Sequence, residues 1–468
     1  MEMTFSLAAV GSSFLSIPTG IWFLILLLAI ILVWFVWIKR PVYEAVALGF
    51  VVLTILSGNI ANIGDYIDGA LSTNLLYSMV AFVAMSILLT KTKIVDSCIA
   101  IILSLIGRIP GGAGYTAVIA SGFMGALSGS GPGNVMATGA LTIPAMKRSG
   151  FPAELAANIE SNASYMGNMI PPSSNIVAAM GAYAAFAGTE VSQGQFWMIL
   201  WGISIYFIAQ RLLMVYAFCK YYKVKPMSKD ELPPLRETLK TGWKGLLLPV
   251  IILTPFILDA VFKDTFFTQQ LGAAGAKALS SSVLLFVGGI AALFAVIATK
   301  DKKMVTPNRM AKMFSNGIKT IAPAIGVCLF GYMLGELFAD MGVGEQMAQL
   351  ISGWTALGQI GTVIVICAIT CFLGMVIPGS SLVVIFGTVF IQVLYGAGCD
   401  PLLSAAMLPC ICGVMCGITP PLGLGMYAGM TLAESDFKKT FNNNLWWVAA
   451  QFILQVVILM GWLPIMGL

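Results

Sequence analysis

Histidine is absent from this chain of 468 residues, and charged residues make up only 10% of it. Without an imidazole, the chain cannot build Ser-His or Cys-His nucleophile pairs, histidine zinc sites or imidazole proton relays. The sequence also lacks a Walker phosphate-binding loop, a GxSxG nucleophile elbow and a GxGxxG dinucleotide motif. We therefore predict that the chain is not an enzyme and draws its energy from an ion gradient or a partner.

Hydrophobic residues, in contrast, make up 59% of the chain. Apolar runs of 18 or more residues can cross the roughly 30 Å hydrocarbon core as helices, and Ile21 to Ile38 is such a run. The nine cysteines lie mostly inside apolar runs, without the spacing of a metal cluster. The net charge of +5 comes from loops, where it sets orientation and does not indicate a nucleic-acid partner. The composition predicts an all-α polytopic protein of the lipid bilayer.

Two polar, glycine- and proline-rich interruptions break the apolar sequence, and they resemble each other. One is SGSGPG around Ser130, which is followed 41 positions later by a proline pair at Pro171. The other is PGSS around Ser380, which is followed 40 positions later by a proline pair at Pro420. Lipid cannot hydrogen-bond the backbone groups that such breaks free. Paired breaks in matching positions of two halves predict an internal repeat and a transport site.

The basic residues predict the topology, because Lys and Arg collect on the cytoplasmic side of a membrane. With the N-terminus outside, all of them face the cytoplasm except Arg211, Lys263 and Lys277. The broken apolar segment at about 113–146 then has both ends inside, and the one at about 358–397 has both ends outside. These segments are predicted to be two re-entrant helical hairpins of opposite orientation, each followed by a broken transmembrane helix. Both termini are predicted to be periplasmic.

This topology divides the chain into scaffold and transport parts. Each transport part contains one hairpin and the broken helix that follows it. The predicted parts are N-terminal scaffold helices at 1–108, a first transport repeat at 109–195, scaffold helices at 196–340 with a basic cytoplasmic linker at 220–244, a second transport repeat at 341–440, and a C-terminal helix at 441–468.

The breaks offer oxygen ligands for an ion. A hairpin tip and a nearby broken helix present unpaired carbonyls with hydroxyls beside them, and the tips contain no carboxylate, so Na⁺ is the predicted coupling ion. Helix N-termini just after Gly133 and Gly379 carry partial positive charge, which favours an anionic substrate. The alternative is that Gly and Ser only allow close helix packing. Four paired and similarly spaced motifs favour the transport interpretation.

Glu160 is an ionisable group inside the apolar sequence, and such a group is a functional candidate in a membrane protein. It lies only about two turns, roughly 12 Å, into the helix that begins near Pro152. We therefore favour an ion pair between Glu160 and Lys147 or Arg148 over a direct role in transport. Polar residues that follow it on the same segment are expected to face the first hairpin.

At these breaks the sequence resembles the large membrane subunit of the tripartite ATP-independent periplasmic (TRAP) transporters. The resemblance is carried by GALSGSGPGNVMATGALTIPAMKRSGFPAE (Gly125 to Glu154), Pro171-Pro172-Ser173, LLLPVIIL (Leu246 to Leu253) and GITPPLGLGMY (Gly417 to Tyr427). The first hairpin is similar to the variety that works with TAXI-type binding proteins. The resemblance implies an elevator-type secondary transporter of the ion transporter superfamily in the bacterial inner membrane. It also implies a periplasmic substrate-binding protein, a small four-helix membrane subunit and Na⁺ coupling.

The resemblance also assigns ligands at the hairpin tips and helix breaks. The expected activity is sodium-coupled import of a small organic acid. The alternatives are an organic anion carrier of the same superfamily that needs no binding protein, and a gated channel. The expected sodium ligands are Ser128, Gly129, Ser130, Gly131, Pro171, Ser173, Pro378, Gly379, Ser380, Thr419 and Pro420, and the expected substrate contacts are Ser130, Asn134, Asn168, Ser174, Ser381 and Thr419.

Overall fold

The structure, a computed structural model, is built almost entirely of helices. Its single described strand pair, β1 (Ser13–Phe14) and β2 (Ile17–Pro18), is two residues long on each side and antiparallel. The residues that the structure describes are 13–14, 17–72, 76–77, 80–81, 88, 92, 94–128, 131–189, 191–299, 306–343, 346, 358–375, 377–420 and 423–468.

The helices of the first half include a hairpin and a broken helix. The helices before the hairpin are α1 (Thr19–Leu32), α2 (Val42–Ser57), α3 (Ile63–Ser72) and α4 (Ile94–Ile106). The first hairpin has one arm of α5 (Gly112–Thr116), a π-helical turn (Ala117–Ser121) and α6 (Gly122–Ser128), and a second arm, α7 (Gly131–Arg148). The first broken helix is α8 (Ala153–Met166), a 3₁₀ turn (Gly167–Met169) and α9 (Ser174–Ala187).

The second half repeats this order after a set of connecting helices. These are α10 (Gln193–Tyr222), α11 (Leu235–Gly242), α12 (Leu247–Phe262), α13 (Thr268–Ala298) and α14 (Pro307–Asp340). The second hairpin is α15 (Gly358–Gly374) and α16 (Gly379–Gly396). The second broken helix is α17 (Pro401–Leu408), a π-helical turn (Pro409–Val414), α18 (Met415–Ile418) and α19 (Leu424–Ala433), and α20 (Phe437–Leu459) follows it.

Local sequence signals explain where several helices begin. Asp400 accepts a hydrogen bond from the Leu403 amide at 2.7 Å and caps α17, and Asp436 caps α20 in the same way. Pro307 opens α14, where a proline costs no intrahelical hydrogen bond. The basic residues Arg309, Lys312 and Lys319 therefore lie on α14. The helix after the first tip begins at Gly131, before the predicted start just after Gly133.

Several helices have the length and composition of membrane spans. Within the described residues, four stretches are long and apolar enough: Gln193–Tyr222, Leu235–Asp259, Gly379–Gly396 and Pro401–Ile418. Shorter apolar helices, such as Thr19–Leu32 and Gly358–Gly374, accompany them. The chain is a multi-pass membrane protein.

The two halves pack in a reciprocal pattern. The second arm of the first hairpin, α7, packs against α8 of its own broken helix and against α19 of the other. The second arm of the second hairpin, α16, packs against α17 of its own broken helix and against α9 of the other. Exchanging the two halves therefore leaves the pattern unchanged, as expected for an internal repeat.

The first halves of the broken helices form the centre of the molecule. Every residue from Leu155 to Met166 of α8 is buried, and so is every residue from Leu403 to Ile418. α14 runs along α2 and α3 on one side and contacts α9 and α16 on the other. The helices that lead into both breaks are thus enclosed by protein, where freed backbone groups can find partners.

Candidate functional site

The ends of two helices lie side by side in each half, and glycine makes both contacts possible. A Cβ atom at Gly125, near the end of α6, would overlap the Ser164 carbonyl and approach Gly167. A Cβ atom at Gly374, the last residue of α15, would lie 3.1 Å from the Cβ of Cys416 in α18. Gly125 lies 46 positions before Pro171, and Gly374 lies 46 positions before Pro420. The two contacts are therefore equivalent in the repeat.

The second hairpin tip is held directly against the second broken helix. The Gly379 amide lies 3.1 Å from the Cys416 sulfur, which accepts its hydrogen bond. A Cβ atom at Gly379 would lie 2.5 Å from the Cα of Gly413 and 2.6 Å from the Cys412 carbonyl oxygen. This contact brings the predicted ligands Pro378, Gly379 and Ser380 close to the helix that ends before Thr419.

The two breaks also meet each other. The Asn168 side-chain amide donates to the Gly413 carbonyl at 2.8 Å, which links the turn before Pro171 to the π-helical turn of the second broken helix. A Cβ atom at Gly413 would lie 3.0 Å from the Asn175 side chain. Asn168 therefore joins the halves through the amide that is predicted to contact substrate.

Tyr165 connects the first hairpin to the second break. Its ring is buried, and Cβ atoms built at Gly131, Gly417 and Gly425 would each overlap it. These three glycines form a slot for the ring between the start of α7 and the two sides of the break after Ile418. The slot needs glycine for space, so part of the glycine content of the breaks serves packing, as the alternative interpretation held.

The remaining predicted ligands occupy helix ends. Ser173 caps α9 by accepting a hydrogen bond from the Asn175 amide at 3.3 Å. Thr419 is buried, and its hydroxyl donates to the Met415 carbonyl at 2.7 Å.

The other predicted residues are located by their helices. Ser174 opens α9, and Ser381 lies buried in the first turn of α16. Ser128 ends α6, Pro171 is buried and Pro420 is half-buried. The predicted ligands Gly129 and Ser130 lie outside the described residues.

The expected ion pair of Glu160 is wrong. The Lys147 ammonium donates to the Ala433 carbonyl at 2.8 Å, and Arg148 is exposed. The buried Glu160 carboxylate instead accepts hydrogen bonds from four hydroxyls. These are Ser121 at 3.1 Å on the first arm, Thr138 and Thr142 on the second arm, and Ser164 at 2.9 Å on α8 itself.

Asn134 completes this cluster. Its side-chain amide donates to the Ser121 carbonyl and to the Ser164 hydroxyl, both at 2.8 Å. The amide expected to contact substrate therefore ties both arms of the first hairpin to α8. Asn134, Thr138 and Thr142 recur every four residues, so they lie on one face of α7. That polar stripe was visible in the sequence, and it is the signal that would have placed Glu160 against the hairpin.

Arg211, which the topology left outside the cytoplasmic set, is buried in α10 with 1% of its surface exposed. Its guanidinium donates to the Asn162 carbonyl at 3.2 Å and to the Gln451 side chain at 2.8 Å. In the described part of the chain, its hydrogen-bond acceptors are neutral oxygens. Arg211 thereby joins α8, α10 and α20. Asn162 is one of the polar residues after Glu160 that were expected to face the first hairpin, but its side-chain amide lies 3.3 Å from the Asn444 side-chain oxygen on α20.

Comparison with known proteins identifies the family. Residues 9–466 match the model of the tripartite ATP-independent periplasmic transporter, DctM component. The chain is 28% identical over 369 residues to the C4-dicarboxylate TRAP transporter large permease protein DctM of Pseudomonas aeruginosa, covering 78% of each chain. It is 24% identical over 403 residues to the sialic acid TRAP transporter large permease protein SiaM of Vibrio cholerae, covering 84% of this chain and 85% of that one.

A solved structure shares the fold. MtrF of Neisseria gonorrhoeae, described among antimetabolite efflux pumps, superposes with a TM-score of 0.63 at 14% identity over 89% of this chain and 86% of that one. The relatives in sequence are transporter permeases, which agrees with the expectation that the chain is not an enzyme. The chain belongs to the DctM-component family, the large permease subunits of tripartite ATP-independent periplasmic transporters.

Proposed function

We propose that the chain carries a small organic acid across the bacterial inner membrane together with Na⁺, by an elevator movement of its two hairpins and broken helices. The family supports the class of transporter, and the relatives named for C4-dicarboxylate and sialic acid support a carboxylate substrate. The coupling ion, the elevator movement and the substrate class are our proposals.

The paired helix ends carry the sodium proposal. The C-terminal ends of α6 and α8 converge at Gly125 and Gly167, and those of α15 and α18 converge at Gly374 and Cys416. The C-terminus of a helix bears partial negative charge and unpaired carbonyls, which favour a cation. Two such ends together, with no carboxylate among the predicted ligands, suit a monovalent ion. We place one Na⁺ at each pair, near Ser128 in the first half and near Thr419 in the second.

The helix N-termini support an anionic substrate. α9 begins at Ser174 and α16 begins at Gly379, and these two helices pack against each other. The N-terminus of a helix bears partial positive charge and unpaired amides, which favour a carboxylate. Because the Asn134 and Asn168 amides are already engaged, we assign the substrate contacts to Ser174, Ser381 and the neighbouring backbone amides.

The proposed assembly follows from the family. A periplasmic substrate-binding protein would deliver the organic acid, and a small membrane subunit would accompany the permease. We further propose that both termini are periplasmic and that the hairpins enter the membrane from opposite faces. The basic residues, which place the ends of the two hairpins on opposite sides, support the second statement, and the reciprocal packing of α7 and α16 supports the internal repeat on which it rests.

Uptake measurements in proteoliposomes test this proposal. The permease is reconstituted with its small subunit and its binding protein, and a panel of labelled dicarboxylates, keto acids and sugar acids is offered under an inward gradient of Na⁺ or of K⁺. We expect accumulation of one class of acid under Na⁺ and none under K⁺. Saturable uptake by the permease alone would favour the carrier that needs no binding protein, and non-saturable conduction would favour a channel.

A further inference from the structure

The Glu160 carboxylate is the one ionisable group in the described part of α8 that is completely enclosed. Its exposed fraction is 0%, and its four hydroxyl partners come from both arms of the first hairpin and from α8. Neither the sodium positions nor the substrate contacts proposed above use it. An ionised carboxylate enclosed by protein is costly unless a cation neutralises it.

The charged groups on the surrounding elements do not neutralise Glu160. Lys147 on α7 bonds to the Ala433 carbonyl, and Arg211 on α10 bonds to Asn162 and Gln451. The described contacts of Glu160 include none of the other charged or titratable groups on α8 and the elements packed against it. These groups are Glu154, Tyr165, Tyr115, Arg148, Tyr206, Tyr216, Cys219, Lys220, Tyr221, Tyr222, Cys410, Cys412, Cys416, Tyr427, Glu434, Lys438 and Lys439.

The contacts of the carboxylate favour a proton over a metal ion as the bound cation. The hydroxyl oxygens of Ser121 and Ser164 lie at direct hydrogen-bond distance from the carboxylate oxygens, at 3.1 and 2.9 Å. A Cβ atom at Gly139, on the opposing helix, would lie 3.0 Å from the Cγ of Glu160. A proton needs no such space. The cation that matches this site is therefore a proton.

The hydroxyls can serve both charge states of the carboxyl. The Thr138 hydroxyl also lies 2.8 Å from the Asn134 carbonyl, and the Thr142 hydroxyl lies 3.1 Å from the Thr138 carbonyl. When Glu160 is ionised, both hydroxyls donate to it. When Glu160 is protonated, one hydroxyl donates to the carbonyl of its own helix and accepts a hydrogen bond from the carboxyl O–H. No heavy atom has to move between these two states.

We propose that Glu160 is a proton-binding site that controls how firmly the first hairpin is held against α8. Proton binding neutralises the enclosed carboxyl and favours the closed hairpin. Proton release leaves a charge that is better solvated by water, so the ionised form favours a hairpin opened away from α8. Any effect of this opening on uptake rests on the proposed transport function, but proton binding and hairpin opening do not.

Infrared difference spectroscopy of the purified full-length protein in K⁺ buffer, without substrate, tests the proton site. We expect the carbonyl stretch of a protonated, enclosed carboxyl at low pH, which disappears on alkalinisation. Glu160→Gln removes this band, whereas Glu154→Gln, at a half-buried glutamate of the same helix, retains it. A band that persists in Glu160→Gln, or its absence from the wild type at every pH, overturns the proposal.

Hydrogen exchange of the α7 amides tests the hairpin, after correction for the intrinsic chemical rate. In the wild type, protection should fall as the pH rises, and in Glu160→Gln, a neutral mimic, it should stay high at every pH. Thr142→Val removes a donor to the ionised form and should tighten proton binding about tenfold, which gives a second readout if Glu160→Gln fails to fold. Identical pH profiles in the wild type and both variants would contradict the mechanism. Failure of sodium-driven uptake would leave these results untouched.

Discussion

Gly167→Val is expected to lower the melting temperature of the permease strongly. A side chain at this position would overlap the Gly125 backbone, so the 3₁₀ turn before Pro171 and the first arm of the hairpin could not remain in contact. Overpacking of a well-packed interior costs about 3 kcal/mol or more when the obstacle is backbone, against a total stability of roughly 5–15 kcal/mol for a typical protein. Thermal unfolding in detergent, followed by size-exclusion fluorescence, measures the effect.

Gly289→Val is the matched control for this variant. Gly289 is an exposed helical glycine in α13, and a Cβ atom there meets nothing within 4 Å. The control should unfold within a few degrees of the wild type. Equal melting temperatures for Gly167→Val and Gly289→Val would mean that the first hairpin and the first broken helix do not meet as described.

Thr419→Val is expected to remove the stabilisation of the protein by Na⁺. The substitution keeps the shape of the side chain and deletes the hydroxyl next to the converging ends of α15 and α18. Loss of a group that supports a bound metal typically weakens binding by roughly 10- to 100-fold. A ligand at 100 times its dissociation constant stabilises a protein by about 2.7 kcal/mol, so most of the sodium-dependent shift in melting temperature should vanish. Melting in Na⁺ and K⁺ buffers of equal ionic strength measures it.

Thr431→Val controls for the loss of a threonine hydroxyl. Thr431 bonds to the carbonyl four residues earlier, Tyr427, at 2.9 Å, just as Thr419 bonds to Met415 at 2.7 Å. Thr431 lies exposed in the last turn of α19, which is not one of the converging helix ends. The Thr431→Val variant should keep the full sodium-dependent shift in melting temperature. An unchanged shift in Thr419→Val would remove Thr419 from the proposed ion site.

The repeat could be read from the sequence because it depends on spacing along the chain. The matched distances to Pro171 and Pro420 predicted two corresponding breaks, and the structure adds Gly125 and Gly374, each 46 positions before those prolines. The family followed from the same motifs. Re-entry of the hairpins into the membrane and sodium binding stay predictions, because they depend on a bilayer and on an ion.

Contacts between distant segments could not be read in this way. Glu160 was paired with the nearest cations along the chain, since spacing on one helix does not reveal which face the next helix covers. The stripe that contains its hydroxyl partners Thr138 and Thr142 is a signal in the sequence, and the packing of α7 along α8 shows which residue the stripe faces. Tyr165 gave no signal at all, because its slot is formed by glycines more than 250 positions away as well as by Gly131.

The opposite orientation of the two hairpins is the central claim, and labelling of single cysteines tests it most directly. Arg148→Cys marks the base of the first hairpin and Gly396→Cys the base of the second, in a background where the half-buried Cys98 and Cys371 are replaced by alanine. A membrane-impermeant thiol reagent is applied to intact cells and to inside-out vesicles. We predict that the Arg148→Cys variant reacts only in the vesicles and the Gly396→Cys variant only in the cells. Labelling of both variants from the same side would contradict the account.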